Sequence, residues 1–284
     1  MLDLHKNIST LCRNMPYAEF GCCHCQVTEP PAIQRYSHEF YEILFFLSGK
    51  VLYTIEGRTY QLRPGDILLT NDCDLHYPQP DAVYERYLIW MQPNFIRDLG
   101  KLGTDFTACF INSGKRRYRL IRPSSVAAAH LKGICEKMVA SNDEQKLGSQ
   151  VLTLIYLVEF LVYLNRAYFA SPDVIQQDVF ENEKINQTVT YINTNLTEDL
   201  SAERLCKVLV VSKSYLTHKF KEYTGFTLYQ YIMKKRLVVA RNLLRQGYLV
   251  MEACEKSGFH DYSNFLKAFK REFGKSPKEF LPPK

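Results

Sequence analysis

The hydrophobic pattern of the chain changes character near residue 120. Before that point, short runs rich in β-branched and aromatic residues are separated by turn residues at Gly49, Gly57 and Pro64-Gly65. This pattern predicts strands joined by tight turns. The predicted strands are Tyr41–Leu47, Lys50–Glu56, Thr59–Leu62, Asp66–Thr70 and Arg86–Met91. Short strands at even spacing are typical of a β-barrel or a jelly roll.

After residue 120 the apolar spacing becomes helical. We predict a helix over about Ser125–Ala140, a second over about Leu147–Phe169, a linker at Ser171–Asn182, and helices alone from Glu183 onward. The predicted fold class is therefore α+β. Its parts are a barrel at 1–122, a helical segment at 123–170, a linker at 171–183 and an all-α domain at 184–284.

The second predicted helix is apolar on most of its surface, so it must be buried against something. Two apolar stripes follow helical spacing. One consists of Val151, Leu154, Ile155, Val158, Leu161 and Val162, and the other of Leu152, Tyr156, Phe160 and Tyr163. If one stripe covers the barrel, the other is left for a second copy of the chain, which predicts a homodimer. The alternative is that both stripes are buried within one monomer.

The last hundred residues contain an internal repeat with an offset of 49 positions. The matching pairs are Ser212 and Asp261, Ser214 and Ser263, Leu216 and Phe265, Phe220 and Phe269, Lys221 and Lys270, Gly225 and Gly274, Thr227 and Ser276, and Tyr231 and Phe280. Ser212 and Asp261 are residue types that cap a helix N-terminus. Gly225 and Gly274 suit the left-handed end of a helix. The repeat therefore predicts two equivalent helices, each capped at both ends.

A short amphipathic helix precedes each capped helix. The first is predicted over Leu200–Val208, with Leu200, Leu205 and Val208 inward, and the second over Val250–Ser257, with Val250, Ala253 and Cys254 inward. Helix, short turn and helix form the helix-turn-helix unit that binds DNA. A helix at about Leu228–Gln246 joins the two units and spans about 28 Å. That length approaches one DNA turn, so we expect one monomer to engage two successive major grooves.

The second unit reads Gly258-Phe259-x-Asp261-x-Ser263-x-Phe265-x3-Phe269-Lys270-x3-Gly274-x-Ser276-Pro277-x2-Phe280. Together with the first unit and with Arg236-x3-Ala240-x2-Leu243-Leu244, this pattern resembles the AraC-type transcription regulators. The resemblance implies a sequence-specific DNA-binding regulator with RNA polymerase as a partner; an activator is expected, and the sequence leaves a repressor open. Val210 stands where the family usually has glycine, and Cys206 and Cys254 stand where it usually has alanine.

The outward faces of the two capped helices supply the predicted DNA contacts. By the family's pattern, the residues expected to reach base edges are Ser214, Thr217 and His218 in the first helix and Tyr262, Ser263, Leu266 and Lys267 in the second. The residues expected to meet phosphates are Lys221, Lys234, Lys235, Arg236, Lys270, Arg271 and Lys275. The alternative for any one of them is that it is simply solvated.

The front of the chain resembles the cupin barrel found in many such regulators, through His38-Glu39-Phe40-Tyr41-Glu42, Gly49, Pro64-Gly65-Asp66 and His76. Metal-dependent cupin enzymes have histidine where this chain has Phe40, and Glu42 falls earlier than their motif requires. We therefore expect no metal, no cofactor and no enzyme activity. His38, Glu42, His76 and Trp90 instead predict a polar pocket with an aromatic wall, suited to a sugar or another small polar effector. The alternatives are structural roles, or a cupin metalloenzyme fused to a DNA-binding domain.

The segment Cys22-Cys23-His24-Cys25 contains ligand types that bind zinc. On a strand, alternation places Cys23 and Cys25 on one face and Cys22 and His24 on the other. A second ligand pair at the usual spacing is missing nearby, so we interpret these cysteines as structural. The nine cysteines of the chain fit reduced thiols better than a disulfide framework.

Charge separates the two halves of the chain. Residues 184–284 contain 18 Lys and Arg against 9 Asp and Glu, whereas residues 1–183 contain 18 against 21. A basic C-terminal part fits a polyanionic partner such as double-stranded DNA. The most apolar stretch, residues 151–164, contains Glu159 and is shorter than the roughly 20 residues of a membrane helix. We therefore expect a cytoplasmic regulator with no membrane contact.

Overall fold

The chain folds into two units that differ in secondary structure. The computed structural model describes residues 19–27, 38, 40–72, 74–81, 83–115, 119–144, 146–170 and 178–282. Contacts group residues 1–55 with 59–180 into a first unit, and residues 56–58 with 181–284 into a second. The first unit contains two sheets and four helices among its described residues, and the second is helical. The fold class is α+β, as the sequence predicted.

The strands form two sheets. Their bounds are β1 Phe20–Val27, β2 Tyr41–Ser48, β3 Val51–Ile55, β4 Arg58–Gln61, β5 Ile67–Thr70, β6 His76–Pro80, β7 Tyr84–Met91, β8 Leu120–Ile121 and β9 Val179–Phe180. One sheet has the order β1-β7-β2-β5-β8 and the other β6-β3-β4-β9. The five predicted strands are present. The sequence missed β6 because Pro78 and Pro80 argue against a strand, and β6 accommodates them at a sheet edge.

Alternation along β2 sends its side chains into two different cores. Ile43 and Phe45 join the apolar cluster that packs against helices, whereas Leu44 and Phe46 join the cluster enclosed by the two sheets. Glu42 lies two residues before Leu44, so it shares the enclosed face. The inner face of the barrel therefore carries a carboxylate among apolar neighbours.

Four helices complete the first unit: α1 Pro93–Leu99, α2 Ala108–Lys115, α3 Ser125–Asp143 and α4 Ser149–Ala170. The structure confirms α3 and α4 within a few residues of their predicted ends. The short α1 and α2 were not predicted, because the segment around them had been interpreted as part of the strand region.

Helix α4 is long and apolar enough to cross a membrane by length and composition, yet its central residues belong to the core of the first unit. The buried residues of this helix are Ser149, Thr153, Leu157, Phe160, Leu161, Leu164, Asn165 and Tyr168. We predicted that one of the two apolar stripes would be buried against the barrel. This prediction was wrong, because the buried side of the helix includes residues from both stripes and residues that belong to neither. Apolar residues cover most of this helix, so spacing cannot select the arc that packs. Val151, Leu152, Ile155 and Tyr163 remain exposed.

Part of the predicted linker is bound to the first unit. Residues 171–177 lie outside the described residues. After them, Val179–Phe180 forms β9 and pairs with β4. The Asp178 carboxylate accepts hydrogen bonds from Arg63 at 2.9 Å and Arg122 at 2.6 Å. These hydrogen bonds to charged groups fix the end of the segment, which composition alone did not reveal.

The described part of the second unit contains six α-helices: α5 Glu183–Thr194, α6 Ala202–Leu209, α7 Lys213–Thr224, α8 Leu228–Arg245, α9 Val250–Lys256 and α10 Tyr262–Phe273. A 3-10 helix follows at Pro277–Phe280. In α6 the buried residues are Leu205 and Leu209, whereas Val208 is exposed, so the prediction that Val208 faces inward was wrong. The helix begins at Ala202 after the cap Ser201, and this start places Leu205 and Leu209 on one face at i, i+4 spacing.

Candidate functional site

The two predicted helix-turn-helix units are present, and each second helix is capped at both ends. The Ser212 hydroxyl accepts a hydrogen bond from the backbone N–H of Tyr215 at 3.2 Å. In the repeat, the Asp261 carboxylate accepts one from the N–H of Asn264 at 2.8 Å. Gly225 and Gly274 end α7 and α10 in the left-handed region, with φ of 76° and 71°. These caps satisfy backbone groups that a helix terminus leaves without intrahelical partners.

The two turns have the same hydrogen bond but different lengths. The backbone N–H of Val211 donates to the Cys206 carbonyl at 3.1 Å, and that of Phe259 donates to the Cys254 carbonyl at 3.1 Å. The residue in the left-handed conformation is Val210 in the first turn and Gly258 in the second. From Val210 the cap Ser212 is two residues away, whereas Asp261 follows Gly258 by three. The offset of 49 thus holds for the capped helices, and an offset of 48 holds for the helices before them.

Six of the seven candidates for base contacts are exposed, namely Ser214, Thr217, His218, Tyr262, Ser263 and Lys267. The seventh, Leu266, is partly buried and packs against the apolar cluster that contains Phe265 and Phe269. The opposite faces of α7 and α10 are buried through Leu216, Phe220, Phe265 and Phe269. The hydroxyl of Thr217 donates to the Lys213 carbonyl at 2.9 Å, which leaves its methyl group as the outward feature. The side chain of His218 is 78% exposed, with Glu222 at 3.6 Å on the next turn.

The candidates for phosphate contacts fall into two groups. Lys221, Lys270, Arg271 and Lys275 are exposed. Lys234, Lys235 and Arg236 are only partly exposed and have partners in the second unit. Lys234 pairs with Glu272, and the Lys235 amine lies 2.7 Å from a Glu56 carboxylate oxygen. The Arg236 guanidinium donates to the carbonyls of Leu196 and Glu198, each at 2.9 Å. We had expected phosphate contacts from these three; the structure gives their side chains intramolecular partners.

The candidate effector residues come together in the first unit. Glu42 lies in β2 and pairs in register with Thr70 of β5 and Trp90 of β7, so the three residues share one face of the sheet. His38 precedes β2, and His76 begins β6 in the other sheet. The ring centroids of His38 and His76 are 4.7 Å apart. Sequence reasoning found these residues through the cupin resemblance, and long-range strand pairing brings them into one cluster.

The cluster is buried and polar. His38, Glu42 and His76 are 5%, 3% and 0% exposed. The Nε2 atom of His38 lies 3.5 Å from Glu42 Oε2, and Nδ1 of His76 donates to the Asp74 carbonyl at 2.9 Å. Burial alone would raise the pKa of Glu42, but the nearby His38, with the charges of His76 and Arg86, outweighs it and lowers the pKa to about 2. Glu42 is therefore a carboxylate at neutral pH.

Arg86 is a member of this inner face that sequence reasoning missed as a site residue. It is 1% exposed, and its Nη1 donates to the Tyr84 hydroxyl at 2.5 Å. Arg86, Leu88 and Trp90 alternate along the predicted strand, so the period of two was the signal that assigned Arg86 to the face of Trp90. A buried guanidinium gives the barrel interior a donor suited to carboxylate or hydroxyl oxygens.

Among the described residues of the first unit, two of the surface cavities have volumes of about 410 and 420 Å³. Neither is lined by His38, Glu42, His76 or Trp90. His38, Glu42 and His76 are instead buried together inside the barrel, whereas Trp90 is partly exposed. Among the residues that the structure describes, the Trp90 Nε1 donor is buried and makes no hydrogen bond. A buried donor of this kind is unusual in a purely structural core.

The cysteines of β1 alternate as predicted. The sulfur atoms of Cys23 and Cys25 lie 3.1 Å apart on one face of the strand. Cys22 lies on the other face and belongs to the cluster that packs against the helices. His24 pairs with Glu85 at 2.7 Å on the surface. The three cysteines are free thiols, and their structural interpretation stays a prediction.

Two family models match the chain. The model described as an AraC-like ligand binding domain matches residues 29–161, and the model described as a helix-turn-helix domain matches residues 205–282. The first covers β2 to β8 and most of α4, and the second covers both helix-turn-helix units apart from the first residues of α6.

The chain is also similar to curated proteins and solved structures. It is 24% identical over 250 residues to the HTH-type transcriptional activator RhaS of Salmonella schwarzengrund, covering 87% of each chain, and equally similar to RhaS of Salmonella arizonae. ToxT from Vibrio cholerae matches with a TM-score of 0.37 and 15% identity, covering 94% of this chain and 100% of that one. The C-terminal domain of AraT, a response regulator from Geobacillus stearothermophilus, matches 36% of this chain and 90% of its own with a TM-score of 0.35 and 25% identity.

Proposed function

The chain belongs to the AraC family of transcriptional regulators, and on that premise we propose that it binds two successive major grooves of DNA under the control of a small polar effector. The chain is a regulator and not an enzyme. The observation that carries the proposal is the pair of capped helices, α7 and α10, each with one buried and one exposed polar face. An exposed helix of this kind fits the major groove of B-DNA.

The proposed base contacts are Ser214, Thr217 and His218 from α7 and Tyr262, Ser263 and Lys267 from α10. Lysine reads guanine acceptors, and hydroxyl groups read several bases. Lys221, Lys270, Arg271 and Lys275 are the proposed phosphate contacts, because their side chains are exposed. Helix α8 has 18 residues and therefore spans about 27 Å between the two helix-turn-helix units. This length supports insertion of α7 and α10 into adjacent major grooves.

Footprinting of the full chain on its operator tests this binding mode. We expect each monomer to protect two segments about 10 base pairs apart on one face of the duplex. Exchanging Ser214 and Thr217 for alanine should weaken protection of one segment, and exchanging Tyr262 and Ser263 should weaken the other. A single short protected segment per monomer would contradict the proposal.

The proposed effector site is the inner face of the barrel around His38, Glu42, His76 and Trp90. Buried polar groups and the Trp90 Nε1 donor support a polar ligand such as a sugar. Trp90 is the only tryptophan in the sequence, so its fluorescence reports on the site. An effector must also change operator affinity, and the usual coupling is about 1–3 kcal/mol, or roughly 5- to 150-fold.

Titration of candidate sugars into the full chain, followed by Trp90 fluorescence and operator affinity, tests the effector site. We expect the effector to change both signals in the wild type, and neither signal in His76→Ala, which should still bind DNA. His130→Ala, with its side chain at the surface, is the matched control and should respond normally. Trp90→Phe has no tryptophan signal, so it is followed by operator affinity alone. If the effector changes operator affinity in both His76→Ala and Trp90→Phe as it does in the wild type, the effector site lies elsewhere.

The remaining proposed partners are a second copy of the chain, argued from an exposed apolar surface, and RNA polymerase, argued from the family. Val151, Leu152, Ile155 and Tyr163 form an exposed apolar surface on α4, and we propose that it pairs with a second copy of the chain. Ile155→Arg should then give a monomer by sedimentation, whereas Leu102→Arg, at another exposed apolar position, should not. A wild-type chain that sediments as a monomer at tens of micromolar would contradict the homodimer. As an activator, the regulator would work in the cytoplasm and contact RNA polymerase.

A further inference from the structure

The buried cluster in the barrel has the composition of a metal site. His38, Glu42 and His76 each offer one ligand atom, and these atoms all lie within 4.8 Å of one another. The sequence argued against a metal because Phe40 occupies a position taken by histidine in cupin enzymes and because Glu42 comes early. The fold removes the second objection, since β2 begins at Tyr41 and turns Glu42 to the face that meets His38 and His76.

The first histidine of the cluster, His38, lies deep in the barrel. Both ring nitrogens of His38 are buried, and neither makes a hydrogen bond to any residue that the structure describes. Buried polar groups normally have such partners, because burial without one is costly. The imidazole of His38 is therefore placed for a partner other than a hydrogen-bonding side chain.

The second histidine has the support that metal-bound histidines usually have. Nδ1 of His76 donates to the backbone carbonyl of Asp74 at 2.9 Å. That hydrogen bond places the proton on Nδ1 and leaves Nε2 with its lone pair. A histidine that ligates a metal through one nitrogen commonly donates its other N–H to a carbonyl in this way. The arrangement also holds the ring in a fixed orientation.

We propose that His38, Glu42 and His76 bind one divalent transition-metal ion inside the barrel. Two imidazoles and one carboxylate form a ligand set for ions such as Zn²⁺, Fe²⁺ or Co²⁺, and they suit Mg²⁺ or Ca²⁺ poorly. Ligand distances of about 2.0–2.2 Å require the three atoms to approach one another more closely than 4.8 Å. His38 Nε2 and Glu42 Oε2, at 3.5 Å, already come close to that spacing.

The proposal goes beyond effector and DNA binding, because the three side chains bind the ion whether or not an effector is present. Three protein ligands leave coordination positions open. The competing interpretation is a buried ion pair in which a protonated His38 neutralises Glu42 without a metal. The two differ in one measurable property, which is stoichiometric uptake of a transition-metal ion by the stripped protein.

Titration of Co²⁺ into tag-free, chelator-stripped full-length protein tests the site. We expect one ion per chain, visible d–d absorption bands, displacement by Zn²⁺, and quenching of Trp90 fluorescence, because Trp90 pairs in register with Glu42. Glu42→Gln, which keeps the size of the side chain, should lower the affinity by more than about 100-fold, and His76→Ala by at least as much. His130→Ala and His24→Ala, at surface histidines, should bind as the wild type does.

Two further measurements keep the outcome clear. Circular dichroism of Glu42→Gln must match the wild type, and if His76→Ala fails to fold, the Glu42→Gln result decides. The absence of stoichiometric binding by the wild type would overturn the proposal, as would equal weakening in His130→Ala. A thiolate-to-cobalt charge-transfer band that disappears in Cys25→Ser and survives in Glu42→Gln would assign the ion to the Cys23 and Cys25 pair instead.

Discussion

The two helix-turn-helix units have different residues at the left-handed position of their turns. Each turn needs one residue in the left-handed conformation, and the chain uses Val210 in the first and Gly258 in the second. A β-branched residue is poorly suited to this conformation, whereas glycine adopts it freely. The surroundings explain the difference. Val210 is 84% exposed, while a Cβ atom at Gly258 would lie 2.1 Å from the carbonyl oxygen of Leu196 and 2.9 Å from Nε of Arg236.

The comparison separates two reasons for glycine at a turn. At the first turn the only cost of a side chain is backbone strain, and the chain tolerates it. At the second turn the backbone passes directly against the carbonyl that Arg236 also binds, so there is no room for a side chain. Steric packing, rather than the left-handed backbone conformation, therefore requires glycine at the turn of the second helix-turn-helix unit.

The largest expected effect is that of Gly258→Ala. We expect a loss of about 3 kcal/mol or more in the free energy of unfolding, because the new methyl group displaces the Leu196 carbonyl and adds left-handed strain. Gly274→Ala is the matched control: its φ is 71°, and a Cβ there meets nothing within 4 Å, so it should lose only about 1 kcal/mol. Urea unfolding followed by far-ultraviolet circular dichroism measures both. Equal losses would refute the packing explanation.

The next effect concerns sequence readout by the two units. His218→Ala and Lys267→Ala should each cost about 1–3 kcal/mol of operator affinity, and each should relax preference at different base positions. Binding to operators with single base-pair changes measures this preference. If either variant weakens all sequences alike, that side chain contacts the backbone of the DNA rather than a base.

A smaller effect should distinguish phosphate contacts from structural ties. Lys221→Ala and Lys270→Ala, at matching positions of the repeat, should each reduce the slope of log affinity against log salt by about 0.9. Arg236→Ala should instead lower the free energy of unfolding, because its guanidinium holds the Leu196 and Glu198 carbonyls. A reduced salt slope with unchanged stability in Arg236→Ala would restore the phosphate role first expected for it.

The smallest effect is at the first turn. Val210→Gly should raise the free energy of unfolding by about 0.5–1 kcal/mol, since relief of left-handed strain exceeds the extra backbone entropy of glycine. Val210→Ala keeps the strain and should give no such gain. Thermal unfolding of the three proteins measures the difference. A loss of stability in Val210→Gly would mean that the valine side chain makes a contact that stabilises the turn.

The DNA-binding half was largely readable from the chain because its features are local. Caps such as Ser212 and Asp261 act within three residues, and the glycines that end α7 and α10 act within one turn. The repeat doubled each of these signals. The failures within this half were also instructive: Val208 was assigned to the wrong face, and Lys235 was counted as a surface charge, although it is 11% exposed beside Glu56.

The barrel shows where local pattern stops being informative. Strand alternation predicted which residues share a face. Extended along β7, the same period of two would have assigned Arg86 to the face of Trp90. Alternation could not bring His38, Glu42 and His76 together, because that requires strands from two sheets to meet. Nor could spacing select the buried arc of α4, since almost every position on that helix is apolar. Features that depend on short-range hydrogen bonds can be predicted from the sequence. The His38–Glu42–His76 cluster and the close approach of Gly258 to Leu196 could not, because they arise from contacts between segments that are distant along the chain.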